Sequence, residues 1–428
     1  MVDSRSMAEL LRRAGYVEVF TPQNAKTIIV NTCGFILPAK QESLKVLSEL
    51  AEKKQNCQYL IAAGCLTERE GQQVIKAVPG VDALLGTRRW MDILKVIKEL
   101  ETHPNRRVYH LPAVPTVGRD EGGVLCAAVQ GASAYLKIAD GCRRQCAFCA
   151  IPLIKGPMIS RPMERIFQEV QQLQQAGIKE LILIAQDTTA YGIDLGIQNG
   201  LSVLLKGIVK IAPHIPWIRL LYTFPGEVSD VLIETMAVQK QLLPYLDIPL
   251  QHAHPDVLQR MHRPTNMAWV RHTLAKMRAA MPELALRTTF IVGFPGETED
   301  EFQTLLDFVQ EVKFDRLGIF QYFHEKGTLA YSLKDNVPSQ VKKERALRLA
   351  QLQEDISLQC NRQFVGKKLE VLIEGSHAGV SIGRSYRDAP EIDGLVILQE
   401  KLGVGEIVNA TITGAMVHDL LGKKALLA

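Results

Sequence analysis

Apolar positions in the first hundred residues follow two rhythms. Short β-rich runs, "TIIVNTC" ending at Cys33 and "YLIAAGC" ending at Cys65, read as strands. Each precedes a stretch of helical period, "PAKQESLKVLSELAEKK" and "TEREGQQVIKAV", and "ALLGT" adds a further short strand. This alternation predicts a parallel sheet. It puts Cys33 and Cys65 at the carboxyl ends of strands, where open α/β sheets place their ligands.

Residues 103–131 lose periodicity and gain Pro, Gly and charge, as a linker does. From residue 134 to 323 a longer α/β rhythm runs through six strand candidates: "AYLKIADG", "ELILIAQD", "WIRLLYT", "YLDIPLQH", "LRTTFIVGFPG" and "RLGIFQYF". Eight such units close a full barrel, so six predict an open, partial (βα)6 barrel. "SQVKKERALRLAQLQEDISLQCNRQF" is a long helix pattern. After Gly366 only short strands and glycine turns remain, which predicts a small all-β domain, a five-stranded barrel.

Composition narrows the class. The chain has 428 residues, 47% apolar and 22% charged, with a net charge of +4. That favours neither a polyanion binder nor disorder. The absence of an eighteen-residue apolar run and of a signal-peptide pattern predicts a soluble, cytoplasmic protein.

Of eight cysteines, three sit in "GCRRQCAFCAIP" as C-x3-C-x2-C: Cys142, Cys146 and Cys149. A structural zinc site wants four protein ligands, and no Cys or His follows closely, although a distant residue could fold in. Cys146 and Cys149 alone have redox-pair spacing, but Cys142 and the surroundings weigh against that. An iron–sulfur cubane held by three thiolates leaves one iron open to a small molecule, and this accounts for the count best. Cys57, Cys126 and Cys360 lack such a setting and read as plain small residues.

Other strand ends carry polar groups. Gln186 and Asp187 in "IAQDTTAYG", Arg219 in "WIRLLYT", Gln251 in "DIPLQHAH" and Arg287 in "LRTTF" are each a ligand contact or a satisfied core group. Gly293 and Gly296 in "FIVGFPGETEDEF" permit close ligand approach or simply a tight turn, with Thr298 and Glu301 forming a capping box for the next helix. His252 and His254 read as structural rather than metal-binding.

With Phe148 just before the last cysteine, the triplet after the first strand of a partial barrel resembles the radical S-adenosylmethionine superfamily. The resemblance implies that S-adenosylmethionine chelates the open iron of a [4Fe-4S] cluster, and that one electron, from a donor such as flavodoxin or ferredoxin, yields a 5′-deoxyadenosyl radical. It also implies that the turn at Gly293 lines the S-adenosylmethionine pocket, with Phe148, Gln186, Asp187, Arg219, Gln251 and Arg287 as the further candidate contacts. Over nearly its full length the chain is similar to methylthiotransferases, through "NTCGFI", "AGCL", "GCRRQCAFCAIP", "TTFIVGFPGET" and "GKKLEVLIEG". The implied organisation is a methylthiotransferase amino-terminal domain at 1–117, a radical S-adenosylmethionine core at 128–360 and a TRAM domain at 363–428.

That family holds a second cluster by three cysteines in its first domain, and Cys33 and Cys65 match two. The chain begins "MVDSRSMAELL", which resembles the residues just after the family's "GC-x-K-N" turn. The expectation is that the third cysteine and a first strand lie upstream of Met1, and that this chain carries one normal cluster and one weak or empty one. Cys57 or Cys126 is the alternative third ligand.

Two acceptors compete: a modified adenosine of transfer RNA, and the β-carbon of an aspartate on a small-subunit ribosomal protein. "AQDTTAYG", "DIPLQHAHPDVLQRMHRP" and "GRSYRDAPEIDG" resemble the branch that modifies the ribosomal protein. From Arg362 onward Lys plus Arg equal Asp plus Glu, eight each, whereas an RNA-gripping module needs a basic excess. The acidic "RDAPEID" suits a basic partner. In the implied reaction the radical abstracts a hydrogen atom from the aspartate β-carbon and a methylthio group adds there, with S-adenosylmethionine also the methyl donor. A non-catalytic iron–sulfur protein that binds ribosomes or RNA is the competing class.

Overall fold

The computed structural model describes residues 2–113 and 123–425. The expected boundary at residue 117 lies outside the described residues. The chain divides into two compact units: Met1–Ala128 with Leu136–Arg165 and Phe323–Tyr331, and Val129–Tyr135 with Ile166–Tyr322 and Ser332–Ala428.

The first unit is built on four parallel strands in sequential order: β1 (Thr27–Thr32), β2 (Tyr59–Gly64), β3 (Ala83–Gly86) and β4 (Val108–His110). The first three are the expected strands. β4 falls inside the stretch expected to be a linker, as does β5 (Ala127–Gln130). Both are only three or four residues long, and neighbouring Pro, Gly and charge hide their period. Helix Val2–Arg13 places Met7 and Leu10 in a core with Ile61, Leu85, Trp90 and Ile97. On the other face of the sheet, Leu47, Leu60, Val74 and Leu84 form a second core.

The second unit carries the larger sheet, in the order β13-β12-β11-β10-β9-β6-β5. Its strands are β6 (Ser133–Lys137), β9 (Glu180–Ile184), β10 (Trp217–Leu220), β11 (Leu242–Asp247), β12 (Ala285–Val292) and β13 (Arg316–Gln321). Two short strands, β7 (Ala139–Asp140) and β8 (Ile159–Ser160), pair separately in the first unit. β9 through β13 pair in parallel. The six predicted strands are thus consecutive neighbours in an open sheet. Helix Ser339–Arg362 leads into a closed barrel of β14 (Lys368–His377), β15 (Val380–Arg384), β16 (Val396–Leu398), β17 (Ile407–Ala415) and β18 (Leu420–Lys424). Among the described residues no helix is long and apolar enough to cross a membrane.

The small barrel is joined to the sheet through buried charge. Glu180, at the start of β9, is 0% exposed. It accepts from Arg219 Nε at 2.7 Å, Arg384 Nη2 at 2.5 Å and Ser133 Oγ at 2.8 Å. Arg316 pairs with Asp388 at 2.5 Å, and Arg387 with Asp315 at 2.9 Å. Arg287 lies between Asp247 at 2.9 Å and Asp393 at 3.4 Å. Most charges of "RDAPEID" are therefore consumed within the unit. The expectation that this stretch offers an acidic face to a basic partner is corrected, because only Glu391 among its charges is exposed and it accepts from Gln130.

Burial alone would raise the Glu180 carboxyl, but Arg219 and Arg384 outweigh it and hold the group at about 2. A depressed carboxyl contributes stability above its ordinary value of 4.5 and loses it as pH falls toward 2. Glu180→Gln is expected to cost about 3–5 kcal/mol at neutral pH by leaving two buried guanidinium groups uncompensated. It should also flatten the fall in stability between pH 4.5 and 2 by about 3 kcal/mol, read by urea unfolding across pH.

Candidate functional site

The cysteine triplet lies in a loop closed at its base by antiparallel β7 and β8, with Ala139 opposite Ser160 and Asp140 opposite Ile159. Gly141 begins the loop at φ +79°, and a Cβ there would stand 2.2 Å from the Pro157 carbonyl oxygen. Cys142 N donates to Gly156 O at 3.2 Å, and Cys149 N to Cys146 O at 3.0 Å. Backbone amides also approach two sulfurs: Arg144 N is 3.4 Å from Cys142 Sγ and Ile151 N is 3.5 Å from Cys149 Sγ. All three cysteines and Phe148 are half-buried. Amides directed at thiolate sulfurs are what an iron–sulfur cluster needs, since such hydrogen bonds tune its potential. This donor set fits the group.

Cys33 and Cys65 are neighbours for a simple reason. Thr32 and Gly64 are register partners at the ends of β1 and β2, and parallel strands lie about 4.8 Å apart. The turns beyond them are crowded. A Cβ on Gly34 would meet Leu66 Cα at 2.7 Å, and one on Gly64, at φ +103°, would meet Asn31 Oδ1 at 2.4 Å. Burial pushes the Cys65 thiol up, opposed by the Lys155 ammonium. Cys57 precedes β2 at the opposite end of these strands, and Cys126 is buried in the core with Met7 and Trp90. Neither joins Cys33 and Cys65.

A buried quartet links the two cysteine regions within this unit. Lys155 Nζ, on the helix after the triplet, lies 3.1 Å from both Asp3 and Asp140. Lys137 pairs with the same two carboxylates. Burial alone would raise Asp3, but Lys137 and Lys155 hold it well below the usual carboxylate range. Arg88 beyond β3 donates to the carbonyls of Leu153 and Ile154, each at 2.9 Å. Sequence reading missed Asp3, Lys137 and Lys155, because nothing in their local strings distinguishes them from surface charge.

The second unit gathers the remaining candidates beyond its strands. Gln186 follows β9, and its Oε1 is buried with no hydrogen-bond partner among the described residues. An orphaned acceptor of this kind fits a polar ligand such as S-adenosylmethionine. Asp187 caps the following turn, accepting from Thr189 Oγ1 at 2.5 Å and Ala190 N at 3.2 Å. Gln251 stands at φ +76° and Tyr222 at φ +60°. Left-handed non-glycine residues are costly and concentrate at functional sites.

Gly293 follows β12, where a Cβ would meet Lys342 Cγ at 2.3 Å. Its N–H donates to Glu297 at 3.0 Å. Glu297 is itself buried, paired with Arg345 at 2.7 Å and 3.5 Å from His252 Nε2. Glu297 is thus the anchor of "GFPGET". Thr298 and Glu301 form the expected capping box. His252 is fully buried, with Nδ1 accepting from His254 N at 3.0 Å, a structural role. Arg219 and Arg287, expected beside the ligand, have their guanidinium groups in the joint to the small barrel.

Comparison with known proteins covers the same segments. Residues 1–86 match the uncharacterized protein family UPF0004, residues 136–309 the radical SAM superfamily and residues 365–424 the TRAM domain. The chain is 43% identical over 444 residues to the ribosomal protein uS12 methylthiotransferase RimO of Roseiflexus sp. (strain RS-1), spanning 99% of this chain and 94% of that one. It is 44% identical over 425 residues to the RimO of Thermoanaerobacter sp. (strain X514), spanning 99% and 96%. Among solved structures, the fold is similar to the radical S-adenosylmethionine methyltransferase TsrM from Kitasatospora setae, which has cobalamin and a [4Fe-4S] cluster bound. The TM-score is 0.55 at 13% identity, over 89% of this chain and 74% of that one. The cobalamin-dependent radical enzyme OxsB gives a TM-score of 0.53 at 12% identity, over 83% and 54%. At these identities the likeness to both structures is one of fold alone.

Gly141→Ala tests the loop. The added methyl meets a backbone carbonyl and the residue must hold a left-handed φ, so a loss of about 1–3 kcal/mol is expected. Thermal unfolding and iron content after reconstitution should both fall.

Proposed function

The chain belongs to the family of ribosomal protein uS12 methylthiotransferases called RimO, and from that membership we propose that it replaces a β-carbon hydrogen of a uS12 aspartate with a methylthio group. The observation that carries this reading is similarity over the whole chain, with the cysteine triplet intact in a loop whose amides point at its sulfurs. The target C–H bond is unactivated, so acid–base side chains alone do not suffice. When bound, a [4Fe-4S] cluster with S-adenosylmethionine supplies hydrogen-atom abstraction from such a bond, together with the methyl group.

The chain's own residues divide the remaining work. Cys142, Cys146 and Cys149 hold the reducing cluster, and the Arg144 and Ile151 amides stabilise thiolate charge on two of them. Gln186 offers an unsatisfied acceptor to S-adenosylmethionine, and Asp187, Gln251, Gly293 and Phe148 complete the candidate contacts. We leave Arg219 and Arg287 to the joint with the small barrel, where carboxylates already match them. Cys33 and Cys65, side by side at the ends of β1 and β2, are in this reading two of the ligands of an auxiliary cluster. The electron donor is a flavodoxin or ferredoxin, the acceptor is protein rather than nucleic acid, and the reaction takes place in the cytoplasm. The domain limits 1–117, 128–360 and 363–428 remain part of this reading.

Iron content reports the ligands. After anaerobic reconstitution, replacing Cys142, Cys146 and Cys149 together by Ala should remove about four irons per chain, and an unchanged iron content would overturn the triplet as cluster ligands. Cys146→Ala should abolish dithionite-dependent release of 5′-deoxyadenosine. Incubation with uS12 and, separately, with transfer RNA should add methylthio mass to uS12. Mass gained only on transfer RNA would reverse the assignment of the acceptor.

A further inference from the structure

The segment Phe323–Tyr331 belongs to the same compact unit as both cysteine sets and is tied to each. At one end Arg69, on the helix that starts at Cys65, donates to Gly34 O at 2.8 Å, Glu325 Oε2 at 3.0 Å and Lys326 O at 2.5 Å. Gly34 directly follows Cys33. Lys40 also pairs with Glu325, at 2.8 Å. At the other end Ala330 N donates to Ala147 O at 2.7 Å, and Ala147 lies between Cys146 and Cys149. Leu153, on the helix after the triplet, packs beside Gly327. Nine residues thus run from one cysteine loop to the other and are pinned at both ends.

The outward side of this segment differs from its inward side. Glu325 is 4% exposed and its carboxylate is held by two cations. His324, Lys326, Leu329 and Tyr331 are exposed, and His324 stacks on Tyr331 with centroids 4.5 Å apart at 27°. Leu329 and the neighbouring Leu153 are about half exposed. The segment therefore presents an ordered ring stack flanked by apolar side chains and a lysine, with no carboxylate of its own facing water. A preorganised surface of this kind loses little entropy on binding a chain. One lysine suits a single carboxylate, whereas an RNA would need several phosphate contacts.

We propose that the outward face of Phe323–Tyr331 is the docking surface for the acceptor polypeptide, with Lys326 receiving the target aspartate carboxylate and the His324–Tyr331 stack receiving its neighbours. The inference rests on the proposed function, which requires the acceptor carbon to be reached from both cysteine centres. A segment fastened to both cysteine loops can hold an acceptor in one register with each.

Binding of fluorescently labelled uS12 to the anaerobically reconstituted protein tests this by anisotropy. Lys326→Met and Tyr331→Ala should each weaken Kd about tenfold, while Lys326→Arg should recover most of the loss. Iron content and the unfolding midpoint should match the wild type, separating docking from folding. Wild-type affinity in all three variants, with uS12 still modified by the wild type, would overturn the docking surface alone. Failure of the wild type to modify uS12 would overturn the functional reading and the docking surface together.

Discussion

A charge cut off from water must be met by an opposite charge, and this requirement fixes which distant segments of the chain meet. Removing one partner of a buried pair costs about 3–5 kcal/mol, so such contacts admit few alternatives. Glu180 is held by Arg219 from the neighbouring strand and by Arg384 from the small barrel. Asp3 and Asp140 are held by Lys137 and Lys155. Glu325 is held by Lys40 and Arg69. Each network joins segments far apart in sequence, and each would be unstable with a member missing.

Two of these networks surround the cysteines. The quartet ties the amino-terminal helix to the base of the triplet loop and to the helix that follows it. The Glu325 network ties the segment after β13 to the turn carrying Cys33. Ion pairs out of water supply stiffness that exposed pairs lack, so the two cysteine loops are held at a fixed separation. The Glu180 network does different work. It fastens the closed barrel to the sheet and absorbs the arginines and aspartates of "GRSYRDAPEIDG".

Much of this was legible in the sequence where the signal was local. Six of the seven strands of the large sheet announced themselves by apolar runs at the spacing of βα units, and those six are consecutive neighbours in the sheet. C-x3-C-x2-C has local spacing, and its loop folds around one glycine that only the backbone at Pro157 explains. Cys33 and Cys65 could be placed side by side because strand ends in a parallel sheet are neighbours. β4 and β5 escaped, being too short to show a period among prolines and charges.

Residue type and spacing alone determined the class of fold, the clustering of thiols and the family. Tertiary structure alone decided what each polar residue does. Arg219 and Arg287 have the same sequence character as Gln186, an isolated polar group beside an apolar strand. Two are matched by carboxylates on neighbouring strands, while the third keeps an unsatisfied acceptor. The same holds for "RDAPEID", acidic in composition and mostly consumed in contacts within its own unit. A charge is available to a ligand or partner only if the fold has not already neutralised it, and that depends on contacts between residues tens to hundreds of positions apart.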